Sequence, residues 1–396
     1  MPDPLDWLDD ELADLDSRGL RRKLQVRCGP QRPERVEVGG QSLVNFGSND
    51  YLGLANDPRV VAAAKAAVEE YGFGSGASPL VTGRSELHAV LERKLAEFEG
   101  TEAALLFPTG YAANVGTIAA LVGKGDAIYS DELNHASIID GCRLSGAAIH
   151  VYPNQWAAGS RQEDCDRLAA LLAAGQHFRR RLIVTDSVFS MHGTFAPLAA
   201  LAWLSEDYNT MLLVDDAHAT GVFGENGRGR CEEDGVESVV HIRVGTLSKA
   251  LGGHGGFVTG SQRLIDWLAN RARPYVFSTA APAAMAAAGL ASLESIEREP
   301  ERRRRLLELA LNLRGRLVLS GLIQPTSLSQ IVPLILGEPA RTLAATAELR
   351  RRGFFVPAIR PPSVPQGQSL LRISLTSMHT EQQVDNLVAA LAEVAR

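Results

Sequence analysis

Lys249, in Thr246-Leu247-Ser248-Lys249-Ala250-Leu251-Gly252-Gly253, stands out by its chemical type. The chain has 40 basic residues but only five lysines, Lys23, Lys65, Lys94, Lys124 and Lys249, so after Lys124 every other cationic side chain is Arg. A guanidinium stays charged, whereas a primary amine has a neutral form that can build a Schiff base or carry a proton. A leftover surface lysine is the plain alternative. Against it, the β-branched run His241-Ile242-Arg243-Val244 leads into Thr-Leu-Ser-Lys and a glycine cluster, the pattern of a strand ending in a tight loop.

Two other strand ends carry polar groups. Met211-Leu-Leu-Val-Asp215-Asp216-Ala-His218 puts an acid at the end of an apolar strand, where it needs a cationic or hydrogen-bonding partner. Asp215 could hold a metal, orient a His, pair with a protonated ring nitrogen, or cap the next helix. No second His or Cys cluster supplies further metal ligands, so no metal is expected. Val184-Thr-Asp-Ser-Val-Phe-Ser190-Met-His192-Gly is again strand into loop. Finally, Phe107-Pro-Thr109-Gly110-Tyr111-Ala-Ala-Asn114 reads as a turn opening a helix, whose free N–H groups suit a phosphate.

An amine, an acid and a phosphate cradle on neighbouring strand ends are what pyridoxal 5'-phosphate (PLP) demands: a Schiff-base lysine, a carboxylate for the pyridinium nitrogen, and a helix N-terminus. Two competing motifs fail. Gly72-Phe-Gly74-Ser-Gly76 is not G-x-G-x-x-G and follows a helix rather than a strand. A Ser-x-x-Lys hydrolase loop would need Ser where Thr246 stands.

The elements that must position these groups follow from periodicity. Short apolar strands at 103–107, 127–130, 148–151, 182–185, 211–214, 242–244 and 256–259 alternate with helical patterns. This predicts an α/β fold with a mostly parallel sheet of seven strands covered on both faces, ligands binding beyond the carboxyl ends. Helices are expected over 5–24, 57–71 and 85–99, and a hairpin turning at Gly39-Gly40 within 25–46. The domain reading is an N-terminal helix and hairpin segment at 1–46, a large PLP-binding domain at 47–283 and a smaller α+β domain at 284–396. The last begins with a long helix whose run Glu299-Pro-Glu-Arg-Arg-Arg-Arg305 reads as a solvated face.

Composition narrows the class. With 45% hydrophobic and 22% charged residues and a net charge of -6, the 396-residue chain is an ordinary globular protein with no whole-molecule case for nucleic acid or membrane binding. Four scattered cysteines and an acidic N-terminus without a signal-peptide pattern fit the cytoplasm.

Seven ordered motifs then carry a resemblance over nearly the whole chain: Ser48-Asn-Asp-Tyr-Leu-Gly-Leu54, Gly74-Ser-Gly76, Gly110-Tyr-Ala-Ala-Asn114, Asn134-His-Ala-Ser137, Asp186-Ser-Val-Phe-Ser-Met191, Val214-Asp-Asp-Ala-His218 and Thr246-Leu-Ser-Lys249. The sequence resembles the α-oxoamine synthases, PLP-dependent transferases of fold-type I with the aminotransferase class I/II fold. Ala358-Ile-Arg-Pro-Pro-Ser-Val-Pro365 is similar to the branch that condenses L-alanine with a pimeloyl thioester, on coenzyme A or acyl carrier protein, in biotin biosynthesis. Glycine-using relatives (2-amino-3-ketobutyrate CoA ligase, 5-aminolevulinate synthase) and a non-catalytic PLP-binding subunit are the alternatives.

The resemblance implies roles. Lys249 would carry the Schiff base and later move the Cα proton. Asp215 would pair with the pyridine nitrogen, His135 would stack on the ring, and Ser190 and His218 would contact the phenolic oxygen. Thr246, with N–H groups at Gly110 and Tyr111, would hold the phosphate. Ser278 or Thr279 would reach the partner subunit's cofactor in a homodimer with shared sites. Asn49 and Arg372 would bind the amino-acid carboxylate, and Arg21, Arg360 and Ser363 would lie on the acyl side. Ala219, His192 and the segment Gly252-Gly-His-Gly-Gly256 depart from the family's usual residues.

Overall fold

The structure is a computed structural model, and it describes residues 3–154, 161–325 and 328–395. Its contacts divide the chain into two units, Met1–Asn49 with Met191–Gly193 and Leu306–Arg396, and Asp50–Ser190 with Thr194–Arg305.

The larger unit is built on a seven-stranded sheet. Its order across the sheet is Ala103–Phe107, Gly256–Gly260, Ile242–Thr246, Met211–Asp215, Arg181–Asp186, Ala127–Asp131, Ala148–Tyr152. All seven expected strands are present. Gly256–Gly260 runs antiparallel to both neighbours, and the pairs from Ile242–Thr246 to Ala148–Tyr152 are parallel. Alternate residues of the central strands enter opposite cores: Ile128, Val184 and Leu213 join one apolar cluster, Tyr129, Ile183, Leu212 and Val214 the other. Both faces are therefore buried, which is why these strands read as continuous apolar runs.

Helices Pro58–Tyr71 and Glu86–Glu99 form where expected, the first capped by the Asp57 carboxylate accepting the Arg59 N–H. The C-terminal helical stretch divides into Ala283–Arg298 and Glu301–Leu319, and the chain passes from the larger unit to the smaller between Arg305 and Leu306. Pro300 lacks an N–H and sits at the break. The arginine run is not wholly solvated: Arg302 donates to Asp57, Glu299 and the Leu52 carbonyl.

In the smaller unit the first helix is shorter than its sequence suggests. It spans Trp7–Ser17, with Gly19 at φ 64° just beyond, so Arg21, Arg22 and Lys23 lie outside it. Leu20 follows Leu15 by five residues rather than three or four, so the apolar period breaks there. Arg35–Val38 and Gln41–Asn45 form the expected hairpin. Gly39 and Gly40 both have positive φ, 58° and 74°, as the tight hairpin turn requires. Phe354–Phe355 adds to that sheet in parallel, and Ser369–Ser374 runs between Ile331–Gly337 and Ala358–Ile359 in a second sheet.

Candidate active site

In the larger unit, polar side chains gather at the carboxyl ends of the strands. Leu212, Leu213 and Val214 are fully buried and deliver Asp215, itself 5% exposed. The Asn114 amide donates to Asp215 Oδ2 at 2.6 Å and to Ser137 Oγ at 2.9 Å, and the Ala217 N–H donates to Asp215 Oδ1 at 2.8 Å. The carboxylate is thus both a local turn acceptor and a group aimed by a side chain 101 residues away. The sequence marks Asn114 only as the end of Gly110-Tyr-Ala-Ala-Asn114. Its position four residues after Gly110, one helical turn on, is the signal that could have placed it beside the same site.

Asp186 ends the adjacent strand, paired in register with Asp215. Its Oδ2 accepts the His135 N–H at 2.6 Å, and its own N–H donates to Asn134 Oδ1 at 2.9 Å. Burial, then the charge of Asp215, pushes the Asp186 carboxyl well above the usual range. His135 caps helix Ala136–Ser145, with Nδ1 2.7 Å from Ser137 Oγ. Enclosure by protein lowers its pKa, Asp215 opposes this, and the Lys249 ammonium reinforces it.

Lys249 follows strand Ile242–Thr246 in a tight loop, where the Gly252 N–H donates to the Lys249 carbonyl and the Gly253 N–H to Leu247. Gly252 has φ 63°, and a Cβ there would stand 2.3 Å from the Ala55 nitrogen, so the loop admits only glycine at that point. The Lys249 charge acts on both His135 and Asp186, which puts the amine, the two acids and the imidazole in one electrostatic neighbourhood. His218, one turn after Asp215, has Nδ1 2.7 Å from the Tyr51 hydroxyl. Ser190 is half-buried in the loop that follows Asp186.

The helix start expected to suit a phosphate is also present. Thr109 caps helix Gly110–Leu121 by accepting the Ala112 N–H, leaving the N–H groups of Gly110 and Tyr111 for a ligand. A Cβ on Gly110 would lie 3.4 Å from Thr246 Cβ, so Thr246 borders this helix start. A Cβ on Gly256 would reach 2.5 Å from the Gly110 nitrogen, so only a glycine lets the two backbones meet. The Thr246 hydroxyl bonds with Ser248 Oγ and donates to the Gly255 carbonyl, each at 2.8 Å. Ser278 is half-buried and Thr279 exposed, after the exposed Phe277. Their loop is tied down through the Ala281 carbonyl, which accepts Ser75 Oγ at 2.6 Å and pairs with His88 Nε2 at 2.8 Å.

The smaller unit brings together the remaining candidates. Arg372, buried in strand Ser369–Ser374, donates to Asn49 Oδ1 at 3.1 Å and Ser374 Oγ at 2.9 Å. Arg360 donates to the Gly19 carbonyl, and burial together with the Arg22 charge lowers its pKa. Arg21 is salt-bridged to Asp16 at 2.6 Å, whereas its neighbour Arg22 donates to Ser363 Oγ at 3.2 Å. The resemblance singles out Arg21 from the basic patch Arg21-Arg22-Lys23, but it is Arg22 that reaches Ser363.

Residues 41–391 match the family described as Aminotransferase class I and II. The 8-amino-7-oxononanoate synthase of Anaeromyxobacter dehalogenans (strain 2CP-1) is 51% identical over 98% of this chain and 96% of its own. Among solved structures, a serine palmitoyltransferase of Sphingomonas wittichii superposes with TM-score 0.91 at 35% identity, covering 100% of this chain and 98% of that one. A serine palmitoyltransferase of S. paucimobilis with bound PLP gives TM-score 0.90 at 32% identity, with 100% and 99% covered. The chain belongs to the class I and II aminotransferase family, with the fold of the fold-type I PLP transferases. It is a PLP-dependent enzyme.

Proposed function

We propose that the protein condenses L-alanine with a pimeloyl thioester, carried by coenzyme A or acyl carrier protein, to give 8-amino-7-oxononanoate, CO2 and free thiol for biotin synthesis. One observation carries the reading: Lys249, Asp215, Asp186 and His135 act on one another at the strand ends whose neighbouring helix start, at Gly110 and Thr246, is open to a phosphate. At 51% identity, the synthase of that name is a nearer relative than the serine palmitoyltransferases at 35% and 32%.

The donor set fits PLP: an amine, a buried carboxylate already aimed by Asn114, and N–H groups with a threonine hydroxyl at a helix start. When bound, PLP supplies an electron sink for the carbanion that alanine becomes on losing its Cα proton. Lys249 Nζ is the amine that would hold it and, when free, would remove the Cα proton of alanine. Asp215 would keep the pyridine nitrogen protonated. His135 would stack on the ring, with Ser190 and His218 at the phenolic oxygen and Gly110, Tyr111 and Thr246 at the phosphate.

Asn49 and Arg372 would bind the alanine carboxylate, Arg372 by a bidentate contact. Arg360 and Ser363, with Arg21 or the Arg22 that reaches Ser363, would receive the acyl chain. The Cα–acyl bond forms as the C–S bond breaks. The thiolate takes up a proton, and the Cα–carboxylate bond breaks to release CO2. A proton returned by Lys249 then restores the Cα–H. Ser278 or Thr279 would serve the partner's site in a homodimer, working in the cytoplasm. No helix among the described residues is long and apolar enough to cross a membrane.

The test is incubation with L-alanine and pimeloyl-CoA, following free thiol and product mass. Release of thiol with formation of 8-amino-7-oxononanoate is expected. Turnover with glycine and none with the pimeloyl thioester would reassign the protein to the glycine-using relatives. Purified protein that never takes up PLP would end the reading altogether.

A further inference from the structure

We infer that His88 is a positioning residue: by holding the Ala281 carbonyl, it sets the loop that carries Ser278 and Thr279 for the cofactor phosphate of a partner subunit. The inference rests on the proposed service of that loop to the partner's site. His88 is 4% exposed and lies in the first turn of helix Glu86–Glu99. Both of its ring nitrogens have partners of fixed sense. A backbone N–H can only donate, and that of Ser85 donates to Nδ1 at 3.1 Å. A carbonyl can only accept, so Nε2 donates to the Ala281 oxygen at 2.8 Å. The imidazole is therefore the neutral Nε2–H form, since a doubly protonated ring would have no acceptor for Ser85. In accord with this, burial lowers the His88 pKa, the bond to Ala281 opposes the shift, and the Arg84 charge reinforces it.

The loop is gripped at two adjacent residues. The Ala281 carbonyl takes a second bond from Ser75 Oγ at 2.6 Å, and the Ala280 N–H donates to the Ala77 carbonyl at 2.9 Å. Gly83 lets these segments meet, because a Cβ there would stand 2.1 Å from the Ala77 oxygen and 2.8 Å from the Ala280 Cβ. The helix of His88 is itself tied to the sheet. Glu92, one turn after His88, accepts the Leu106 N–H at 3.3 Å and pairs with Arg84 at 2.5 Å. Leu106 lies on the strand that runs into Thr109 and the helix start at Gly110. One helix therefore joins the strand leading to this chain's own phosphate site with the loop meant for a partner's. A histidine that only capped its helix would need the Ser85 side of the ring alone. The Ala281 side pre-places hydroxyls two and three residues earlier in the chain, which spares binding the cost of ordering them.

Two substitutions separate the sides of the ring. His88→Asn matches Nδ1 and keeps an acceptor for Ser85, whereas His88→Gln matches Nε2 and keeps a donor for Ala281. Both full-length variants, and Ser278→Ala combined with Thr279→Ala, are freed of cofactor and titrated with PLP, following the absorbance of the bound form. A melting curve for each keeps loss of fold out of the comparison. PLP should bind about tenfold more weakly to His88→Asn and to the double variant, and within about twofold of the parent to His88→Gln. Nitrogen-15 NMR of the histidine-labelled, cofactor-free parent should show a protonated Nε2 and an unprotonated Nδ1, the His88 signal being assigned by its loss in His88→Gln. Parent-like binding by His88→Asn, or equal weakening in the Asn and Gln variants, overturns the inference and leaves His88 as cap and packing. An Nδ1–H pattern in the parent overturns it too. Parent-like binding by the double variant is a different failure: it removes the loop from the cofactor and sinks the reading beneath the inference, and the inference with it.

Discussion

Asp215 and Asp216 are neighbours in sequence and lead into two different clusters of buried charge. Asp215 belongs with Asp186, His135 and Lys249. Asp216 belongs with Arg243, Glu99 and Glu237, where the Arg243 guanidinium donates to the Glu99 carbonyl at 2.7 Å and the Glu237 carbonyl at 3.2 Å. The two cations differ in kind. Arg243 is multiply anchored and cannot give up its proton, while Lys249 sits half-buried on a loop where an amine can exchange its bond and its charge. In this pair, the charge that holds backbone in place is a guanidinium, and the charge proposed to change is an amine.

The sharpest way to break that contrast is Lys249→Arg. The substitution keeps a cation beside His135 and Asp186 and removes the amine chemistry. Turnover should fall by more than about a thousandfold, with thermal unfolding close to the parent's. Steady-state rates with alanine and pimeloyl-CoA, beside a melting curve, decide it. An active Lys249→Arg enzyme would mean that Lys249 serves as charge alone.

The second cluster responds to pH. Burial, opposed by Arg243 and reinforced by Asp216, lifts the Glu99 carboxyl to about 8. The unfolded chain loses that proton near the ordinary carboxylate value while the native state keeps it, so between these pH values the native state binds more protons. Stability therefore falls as pH rises from about 4.5 to about 8, by roughly 5 kcal/mol in all. Glu99→Gln, which has no proton to lose, should flatten that slope and leave stability near pH 4 almost unchanged. Urea unfolding at several pH values measures this. Parallel curves for parent and variant would show Glu99 ionised in the fold.

The first cluster was largely legible in the sequence and the second was not, for a physical reason. Lys249, Asp215 and Gly110 each sit where an apolar run stops, and a sheet with both faces covered gathers such ends on one edge. Arg243 interrupts a β-branched run with no partner visible nearby in the sequence, because the acid it meets lies 144 residues earlier at the end of helix Glu86–Glu99. The contact between Tyr51 and His218, 167 residues apart, is illegible in the sequence for the same reason. The N-terminal helix failed differently: a run of basic residues looks helical, but Leu20 follows Leu15 by five residues, off the helical period, and Gly19 turns the chain away.

The smallest effect belongs to Arg243→Met. Breaking a buried ion pair ordinarily costs about 3–5 kcal/mol, because the abandoned partner remains charged. Here Glu99 already holds its proton at neutral pH, and the geometry agrees: Arg243 is 2.7 Å from the Glu99 carbonyl but 3.4 Å from its carboxyl Oε2. The substitution then strands two backbone carbonyls and takes one cation from the partly exposed Glu237 carboxylate, 3.7 Å away, at about 3 kcal/mol in total. A double-mutant cycle of Arg243→Met with Glu99→Gln at pH 6 should give a coupling below about 0.5 kcal/mol. A coupling near 3 kcal/mol would make the two an ionised pair after all. The second cluster would then hold its charge by the same means as the first, and the contrast between Lys249 and Arg243 would narrow to the chemistry of the amine.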